Sequence, residues 1–217
     1  MNKMVDLNST FPQTRKVREA KIIDTVGSVL QYALLLCLIV IAVCIWIFAP
    51  VGIDGQSMEN SFFHGDTVAV EKVFSSADRG DVVVLKSGDG YVIKRVVATE
   101  GDRVGFVVDE YGAVSLFVDT GSGFKEKSEP YIKEQMTYRT SVFTKITPFD
   151  SVEALTANGG LLLPKNGLYV LGDNRNFSGD SRSHGIYYEK DVFGVVVSKL
   201  NENSFLHGLF SLFYEEV

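Results

Sequence analysis

The chain has 217 residues, which suits one domain of moderate size with appendages. Its formal net charge is −6 at pH 7, and this acidic balance argues against nucleic acid as a partner. The composition is ordinary for a globular protein except in one segment, residues 25–53, which contains no charged residue.

This uncharged segment predicts a transmembrane helix, because its centre at residues 33–48 is entirely apolar and about 20 apolar residues cross a bilayer as a helix. We place the helix at residues 27–49, with Pro50 at its end. A cleaved secretory signal is the alternative. Such a signal has an apolar core of about 7 to 15 residues and a cleavage site with small residues; here the apolar core is longer, and residues 45–50 offer no pair of small residues. We therefore expect a retained anchor.

The charges beside the helix predict its orientation. Residues 1–26 carry five basic and three acidic side chains, a net charge of +2. Since the whole chain has a net charge of −6, the remaining residues have a net charge of −8. Basic flanks stay on the cytoplasmic side. We expect a single-pass protein of the cell membrane, with a cytoplasmic tail at residues 1–26 and an extracytoplasmic domain at residues 50–203. Membrane lipid is then one of its partners.

The exported domain is predicted to be mainly β, an all-β domain with a coiled or barrel-like sheet, because short strands alternate with glycine-rich turns. We expect residues 121–149 to form an excursion loop or a β-ribbon away from any site. The last segment, residues 204–217, is apolar but too short to span a membrane; it either packs on the domain or enters the outer leaflet. The predicted strands are 67–73, 82–86, 91–99, 103–109, 114–119, 168–172 and 192–200.

Cysteine and histidine give no sign of a metal site. Cys37 and Cys44 both fall in the predicted anchor, where they are best read as small apolar residues. His64, His184 and His207 have no ligand spacing. We predict neither a metal nor another cofactor.

Ser57 and Lys94 are the candidates for chemistry. A serine is a weak nucleophile and needs a base. Lys94 lies in a strand-like run, on the face of Val92 and Val96. If Asp89 and Gly90 form the turn of the preceding hairpin, Leu85 lies opposite Lys94. Val83 then shares that face.

Aliphatic neighbours would desolvate the Lys94 amine and lower its pKa. A pKa near 8 would cost roughly 3 kcal/mol, which a fold tolerates where a neutral amine serves as general base. The alternative is a solvated loop serine and a lysine whose amine reaches water. A polar loop with Asp173, Arg175, Asp180 and Arg182 follows residues 168–171. These four side chains can pair with one another, as they do in many loops that are only structural.

Four ordered blocks follow the predicted anchor, and with them the sequence resembles the bacterial type I signal peptidases of peptidase family S26, in the single-anchor form typical of Gram-positive bacteria. The blocks are Ser57-Met58, residues 79–84, residues 93–97 with Gly101-Asp102, and residues 172–182.

The resemblance implies a Ser-Lys dyad in which Ser57 is the nucleophile and Lys94 the general base. It also implies that Ser178 orients the lysine amine, that Asp180 and Arg182 hold the loop near the dyad, and that the N–H of Ser57 is one oxyanion donor. The substrate pocket would be apolar and suited to small side chains. Its positions are Ile53, Met58, Phe62 and Ile93.

The sequence departs from the family pattern at several positions. Asn60-Ser61 stands where Pro-Thr is usual, Glu100 replaces a proline, and Phe177 replaces a common asparagine. Gly55 occupies the position that supplies a second oxyanion donor, a serine hydroxyl, in some members. A water, Gln56 or a backbone N–H remain as alternatives for that donor.

The resemblance implies an endopeptidase that removes the signal peptides of exported preproteins, cutting after small residues in an A-x-A-like pattern. One alternative is another Ser-Lys peptidase, such as the self-cleaving LexA-type repressors, although a membrane helix stands where those carry a DNA-binding domain. The other is a non-catalytic assembly factor for surface proteins. Loss of the serine or the lysine would mark such a protein, and both are present.

Overall fold

The computed structural model describes residues 11–200, with side chains from residue 17 onward. The predicted apolar segment at 204–217 lies outside these residues. The chain divides into two compact units, residues 1–46 and residues 47–217. The first is one helix, α1 (Phe11–Ile47), and within it Val17–Ile47 is long and apolar enough to cross a membrane.

Helix α1 differs from the prediction at both ends. It begins well before residue 27 and ends at Ile47 rather than at residue 49. The next residues, Phe48–Gly52, form strand β1 instead of the end of a helix. Pro50 is tolerated there because β1 is an edge strand, which pairs with β2 alone among the described strands.

The second unit is mainly β, as predicted, and all seven predicted strands are present within a few residues of their expected bounds. The sequence did not predict β1, the four two-residue strands or the short helices. The further elements are β2 (Thr67–Glu71), β3 (Val82–Ser87), β4 (Gly90–Ala98), β5 (Arg103–Val108), β6 (Ala113–Asp119), β7 (Lys125–Glu126), β8 (Met136–Thr137), α2 (Val152–Asn158), β9 (Leu161–Leu162), β10 (Gly167–Leu171), α3 (Ser181–His184), β11 (Tyr187–Tyr188), a 3₁₀ turn (Glu189–Asp191) and β12 (Val192–Leu200).

These strands form two sheets. The larger has the order β1-β2-β12-β3-β4-β10-β11, and the smaller has the order β7-β6-β5-β9 with β8 paired to β6. Neither sheet closes into a barrel among the described strands. The main core lies where the two sheets meet and is built around Phe106 of β5 and Tyr169 of β10, both fully buried.

The hairpin of β3 and β4 positions Lys94, and its register differs from the predicted one. Gly88 and Asp89 form the two-residue turn, with Gly88 at φ 61, a backbone angle that glycine adopts without strain. Lys94 therefore lies opposite Val83 rather than Leu85. The shift is two residues, so the faces are unchanged.

Candidate active site

The two side chains that the sequence selected meet in the structure. Nζ of Lys94 lies 2.8 Å from Oγ of Ser57, although 37 residues separate them in the chain. The same nitrogen donates to the carbonyl oxygen of Ile93 at 2.7 Å. A nucleophile and a base within hydrogen-bonding distance form the arrangement that serine activation requires.

The Lys94 amine is shielded from water and, within residues 11–200, has no carboxylate partner. The residue is 3% exposed and lies opposite the fully buried Val83. Burial lowers its pKa from 10.5 to about 8, although the charges of Asp180 and Asp173 act in the opposite direction. Among the described residues, no acidic side chain forms an ion pair with it. A neutral amine is therefore accessible close to physiological pH.

Ser57 opens a tight turn between β1 and β2. The N–H groups of Ser61 and Phe62 both donate to the carbonyl oxygen of Met58, at 3.1 and 2.9 Å. Asn60 has φ 92, in the left-handed region that asparagine tolerates better than most residues. Proline, restricted to φ near −65°, cannot adopt this conformation. The turn thus has a backbone that the usual Pro-Thr of the family resemblance would not allow.

The chain after β10 packs directly on this turn. The backbone N–H of Asn174 donates to the carbonyl oxygen of Ser57 at 3.1 Å. Gly172 lies between Ser57 and Ser178: a Cβ at this position would be 2.4 Å from the Ser57 carbonyl oxygen and 2.2 Å from Oγ of Ser178. Only glycine fits, because any side chain would separate the two serines.

Ser178 is buried near Ser57 but makes no hydrogen bond to the Lys94 amine. The two hydrogen bonds of Lys94 go to Ser57 and Ile93. The hydroxyl of Ser178 has no hydrogen-bond partner in the described part of the chain, yet it lies near enough to Asp180 to help lower the pKa of that carboxyl. Its contact is with Gly172, which places it next to Ser57.

Three arginines near the dyad each pair with their own carboxylate: Arg175 and Arg182 are buried, and Arg95 is partly buried. Arg182 donates to both oxygens of Asp180, at 2.8 and 2.7 Å. Burial would raise the pKa of Asp180, but the hydrogen bonds and charge of Arg182, together with the N–H of Gly172, hold it below its ordinary value. Asp180 is also the N-cap of α3, accepting from the N–H of Arg182.

The other two pairs differ from the predicted ones. Asp173 pairs with Arg95 at 2.8 and 2.6 Å, and Arg175 pairs with Glu129 at 2.5 and 2.6 Å. Of the four polar side chains predicted to pair with one another in the loop, only Asp180 and Arg182 do so. Arg95, adjacent to Lys94, points away from its face as expected and pairs with Asp173 in the loop after β10.

Glu129 shows that the predicted position of residues 121–149 was wrong. This segment carries β7 and β8 as short ribbon strands, but it also reaches the site. Thr137 donates to the side-chain oxygen of Asn176 at 3.0 Å, and the N–H of Lys145 donates to the Arg182 carbonyl at 2.9 Å. Scattered polar and aromatic residues in the sequence gave no signal for these contacts.

The four predicted pocket positions separate into two groups. Ile53, Phe62 and Ile93 belong to one apolar cluster with residues of β2 and β3. Phe62 and Ile93 retain some exposed surface. Met58 is only 1% exposed, and its sulfur accepts from the N–H of Asp173 at 3.5 Å. Met58 therefore supports the loop and offers almost no surface to a ligand.

Similar proteins identify the family. The family model for signal peptidase, peptidase S26, matches residues 26–200. Signal peptidase I S of Bacillus subtilis (strain 168) is 31% identical over 175 residues, covering 77% of this chain and 86% of its own. Signal peptidase IB of Staphylococcus aureus (strain COL) is 33% identical over 157 residues, covering 70% and 76%. A crystal structure of a signal peptidase I from Enterococcus faecalis V583 covers 58% of this chain and 100% of its own, with 21% identity and a TM-score of 0.37. On the family match and the two bacterial relatives, the chain belongs to the signal peptidases of family S26 and is a hydrolase.

Proposed function

We propose that this chain is a membrane-anchored serine endopeptidase that removes signal peptides from exported preproteins, with Ser57 as nucleophile and Lys94 as general base. The observation that carries the proposal is the 2.8 Å separation of Nζ of Lys94 and Oγ of Ser57, with the amine buried and its pKa lowered to about 8. A lysine with only a structural role would require neither the contact with a serine hydroxyl nor a lowered pKa.

The reaction follows from that geometry. Neutral Lys94 accepts the hydroxyl proton as Oγ of Ser57 attacks the scissile carbonyl, and the resulting ammonium then protonates the departing amine. This leaves the signal peptide as an acyl ester on Ser57 and Lys94 neutral again. Lys94 next takes a proton from water, which attacks the ester; as the ester bond breaks and the signal peptide leaves, the ammonium returns this proton to Oγ of Ser57 and Lys94 is neutral again. The N–H of Ser57 is one donor to the oxyanion.

The supporting residues act on the position of the dyad. We assign Ser178 to the orientation of the lysine amine once substrate excludes water, and Asp180 with Arg182 to the rigidity of the loop that carries it. Their burial and mutual contacts support these roles. Asp180 also acts on Lys94 by its charge, which raises the lysine pKa and so limits how far burial lowers it.

The proposed substrate side is apolar. Ile53, Phe62 and Ile93 form one cluster, whose apolar surface suits the small side chains of an A-x-A-like cleavage site. An extended substrate would bind alongside a strand near the dyad through main-chain hydrogen bonds. In this scheme Met58 supports the loop after β10 through its contact with Asp173.

The helix supports membrane anchoring. Ser57 follows the end of α1 by only ten residues, and the charge asymmetry of the sequence supports a cytoplasmic N-terminus with the β unit on the extracytoplasmic face. Anchoring confines enzyme and membrane-inserted preprotein to one plane, which raises their effective concentration.

A cleavage assay tests the proposal. The purified full chain in detergent should cut a preprotein after an A-x-A sequence, and Ser57→Ala and Lys94→Ala should each abolish cleavage while the β unit stays folded by circular dichroism. Retained cleavage by Ser57→Ala would exclude the dyad. Binding of the preprotein without cleavage by the unmodified chain would instead identify a non-catalytic assembly factor.

A further inference from the structure

One turn between β7 and β8 contacts two of the arginines near the dyad. Glu129, Pro130, Tyr131 and Ile132 form a β-turn closed by the N–H of Ile132 on the carbonyl oxygen of Glu129, at 3.0 Å. Proline at the second position restricts the backbone of the turn. The hydroxyl of Tyr131 donates to the Glu129 carboxylate at 2.7 Å. We name residues 129–132 the clamp turn.

The clamp turn holds the loop on the serine side of the site through Arg175. Both guanidinium termini of Arg175 donate to Glu129, at 2.5 and 2.6 Å, and the pair is buried, with side chains 2% and 8% exposed. Nε of Arg175 donates to the carbonyl oxygen of Gly172 at 2.9 Å. Gly172 in turn packs against Ser57 and Ser178. Glu129 therefore reaches the nucleophile through two intermediate residues.

The same turn holds the lysine side through Arg95. The guanidinium of Arg95 lies over the ring of Tyr131, 4.1 Å from its centroid, and Arg95 directly follows Lys94 in β4. Arg95 is paired with Asp173, which also accepts from the hydroxyl of Ser61, in the turn that begins at Ser57, at 2.5 Å. Tyr131 thus stacks on a group that ties the lysine strand to the serine turn.

We propose that the clamp turn positions the Ser57–Lys94 dyad, with Glu129 and Tyr131 as positioning residues that act through Arg175 and Arg95. This inference rests on the proposed function. Neither residue contacts the dyad, and the carboxylates that act on the Lys94 charge are Asp180 and Asp173, not Glu129. The clamp turn acts on geometry, so its loss slows the reaction without moving the pKa of the base.

The test uses Glu129→Gln, Tyr131→Phe and the double variant in the full chain, assayed with a preprotein. Glu129→Gln keeps the shape but loses the charge that binds Arg175. Tyr131→Phe keeps the ring over Arg95 and removes only the hydroxyl. The matched control is Glu126→Gln, the same change in the same segment, whose carboxylate accepts from Ser115 on the outer surface. Circular dichroism and urea unfolding give the folded fraction of each variant.

We expect Glu129→Gln to lower kcat roughly 10- to 100-fold per folded molecule, since small displacements of reacting groups have effects of this size. The KM and the pH midpoint should stay at the wild-type values. Tyr131→Phe should lower kcat less, and the double variant should lose less than the product of the two, because the hydrogen bond from Tyr131 to Glu129 joins the two side chains and each single change already alters it. Glu126→Gln should match the wild type.

Three results would overturn the inference. The first is a wild-type kcat per folded molecule in both Glu129→Gln and Tyr131→Phe, which would leave the turn a purely structural role. The second is a rise in KM with kcat intact, which indicates substrate binding. The third is a shifted pH midpoint, which indicates direct electrostatic action on Lys94. If the wild type and Glu126→Gln fail to cleave, the proposed function fails first and this inference falls with it.

Discussion

Lys94 and Arg182 are both buried basic residues of the site, and they differ in whether a carboxylate neutralises their charge. Arg182 is fully buried and donates to both oxygens of Asp180. Lys94 is 3% exposed and contacts a hydroxyl and a backbone carbonyl. Arginine keeps its charge at any accessible pH, whereas a buried lysine can lose its proton. The site thus pairs Arg182, whose charge is permanent, with a carboxylate. It gives Lys94, which can lose its charge, no such partner among the described residues.

The presence or absence of a carboxylate partner distinguishes the structural cations of this site from the proposed catalytic one. Arg95 and Arg175 follow the pattern of Arg182, with Asp173 and Glu129 as partners. A matched buried pair adds little net stability over apolar packing, but breaking it leaves an uncompensated charge. An unmatched lysine costs stability in the protonated form and supplies a base in the neutral form. Four predictions test this contrast.

Breaking the matched pair should have the largest effect on stability. We expect Asp180→Asn to lower the free energy of unfolding by about 3–5 kcal/mol, because it leaves the Arg182 guanidinium buried without a counter-charge. Urea unfolding at pH 7 measures it. The control is Lys199→Met, which removes the pair with Asp66, where the lysine side chain is 44% exposed; it should cost at most about 1 kcal/mol. Equal losses in both variants would contradict the contrast.

Removing the unmatched cation should have the opposite sign. The lysine pKa falls from 10.5 to about 8 on folding, so protonated Lys94 costs about 3 kcal/mol below pH 8 at 1.36 kcal/mol per pH unit. Lys94→Met should therefore raise the free energy of unfolding at pH 7, by up to about 3 kcal/mol.

The advantage of Lys94→Met should shrink as pH rises from 8 to 10.5. In that window the unfolded wild-type chain binds more protons at this residue than the native one, so wild-type stability rises with pH. Urea unfolding at pH 7 and pH 10 measures both values. A variant less stable than the wild type at pH 7 would count against the buried amine.

The same pKa sets the pH dependence of cleavage. In the proposed mechanism only neutral Lys94 accepts the Ser57 proton, so kcat/KM should rise with pH through a midpoint near 8. Between pH 8 and pH 6 it should fall by about 50-fold, following the neutral fraction of the amine. Initial rates across this range, with the folded state checked at each pH, give the midpoint. A midpoint near that of a solvated lysine would show an amine in water.

The smallest of the four effects concerns Gly172, where the loop after β10 packs against the turn that begins at Ser57. Gly172→Ala places a Cβ less than 3 Å from both Ser57 and Ser178. We expect a loss of about 1–3 kcal/mol in unfolding free energy, as for other overpacked sites, together with slower cleavage as the loop moves off the serine. Gly90→Ala is the matched control, since a Cβ there meets no atom within 4 Å. Similar stability and cleavage for the two variants would contradict the packing at Gly172.

Local patterns in the sequence were enough to predict several elements. The alternation of apolar residues identified all seven longer strands of the prediction, and the Gly-Asp-Gly stretch identified the β3–β4 hairpin. The exact turn was not decided by that stretch, because Gly88-Asp89 and Asp89-Gly90 are both good two-residue turns. The predicted neighbour of Lys94 was therefore two residues away from the observed one. The face of Lys94 was correct, since a shift of two residues preserves it.

The partners of the charged residues could not be predicted from the sequence. Asp173 was expected to pair within its own loop and pairs instead with Arg95, 78 residues earlier. Glu129 pairs with Arg175 across 46 residues, from a segment expected to lie away from the site. No local periodicity reports on contacts between segments so far apart.

The sequence by itself determined which side chains were available: an uncharged apolar helix, a serine after it, and a lysine on an aliphatic strand face. These follow from composition and from the two-residue period of a strand. The tertiary structure alone decided which carboxylates matched which cations and left Lys94 without one. Ion pairing depends on distances of a few ångströms between segments far apart in sequence, and only the packing of β4, the loop after β10 and the clamp turn sets those distances.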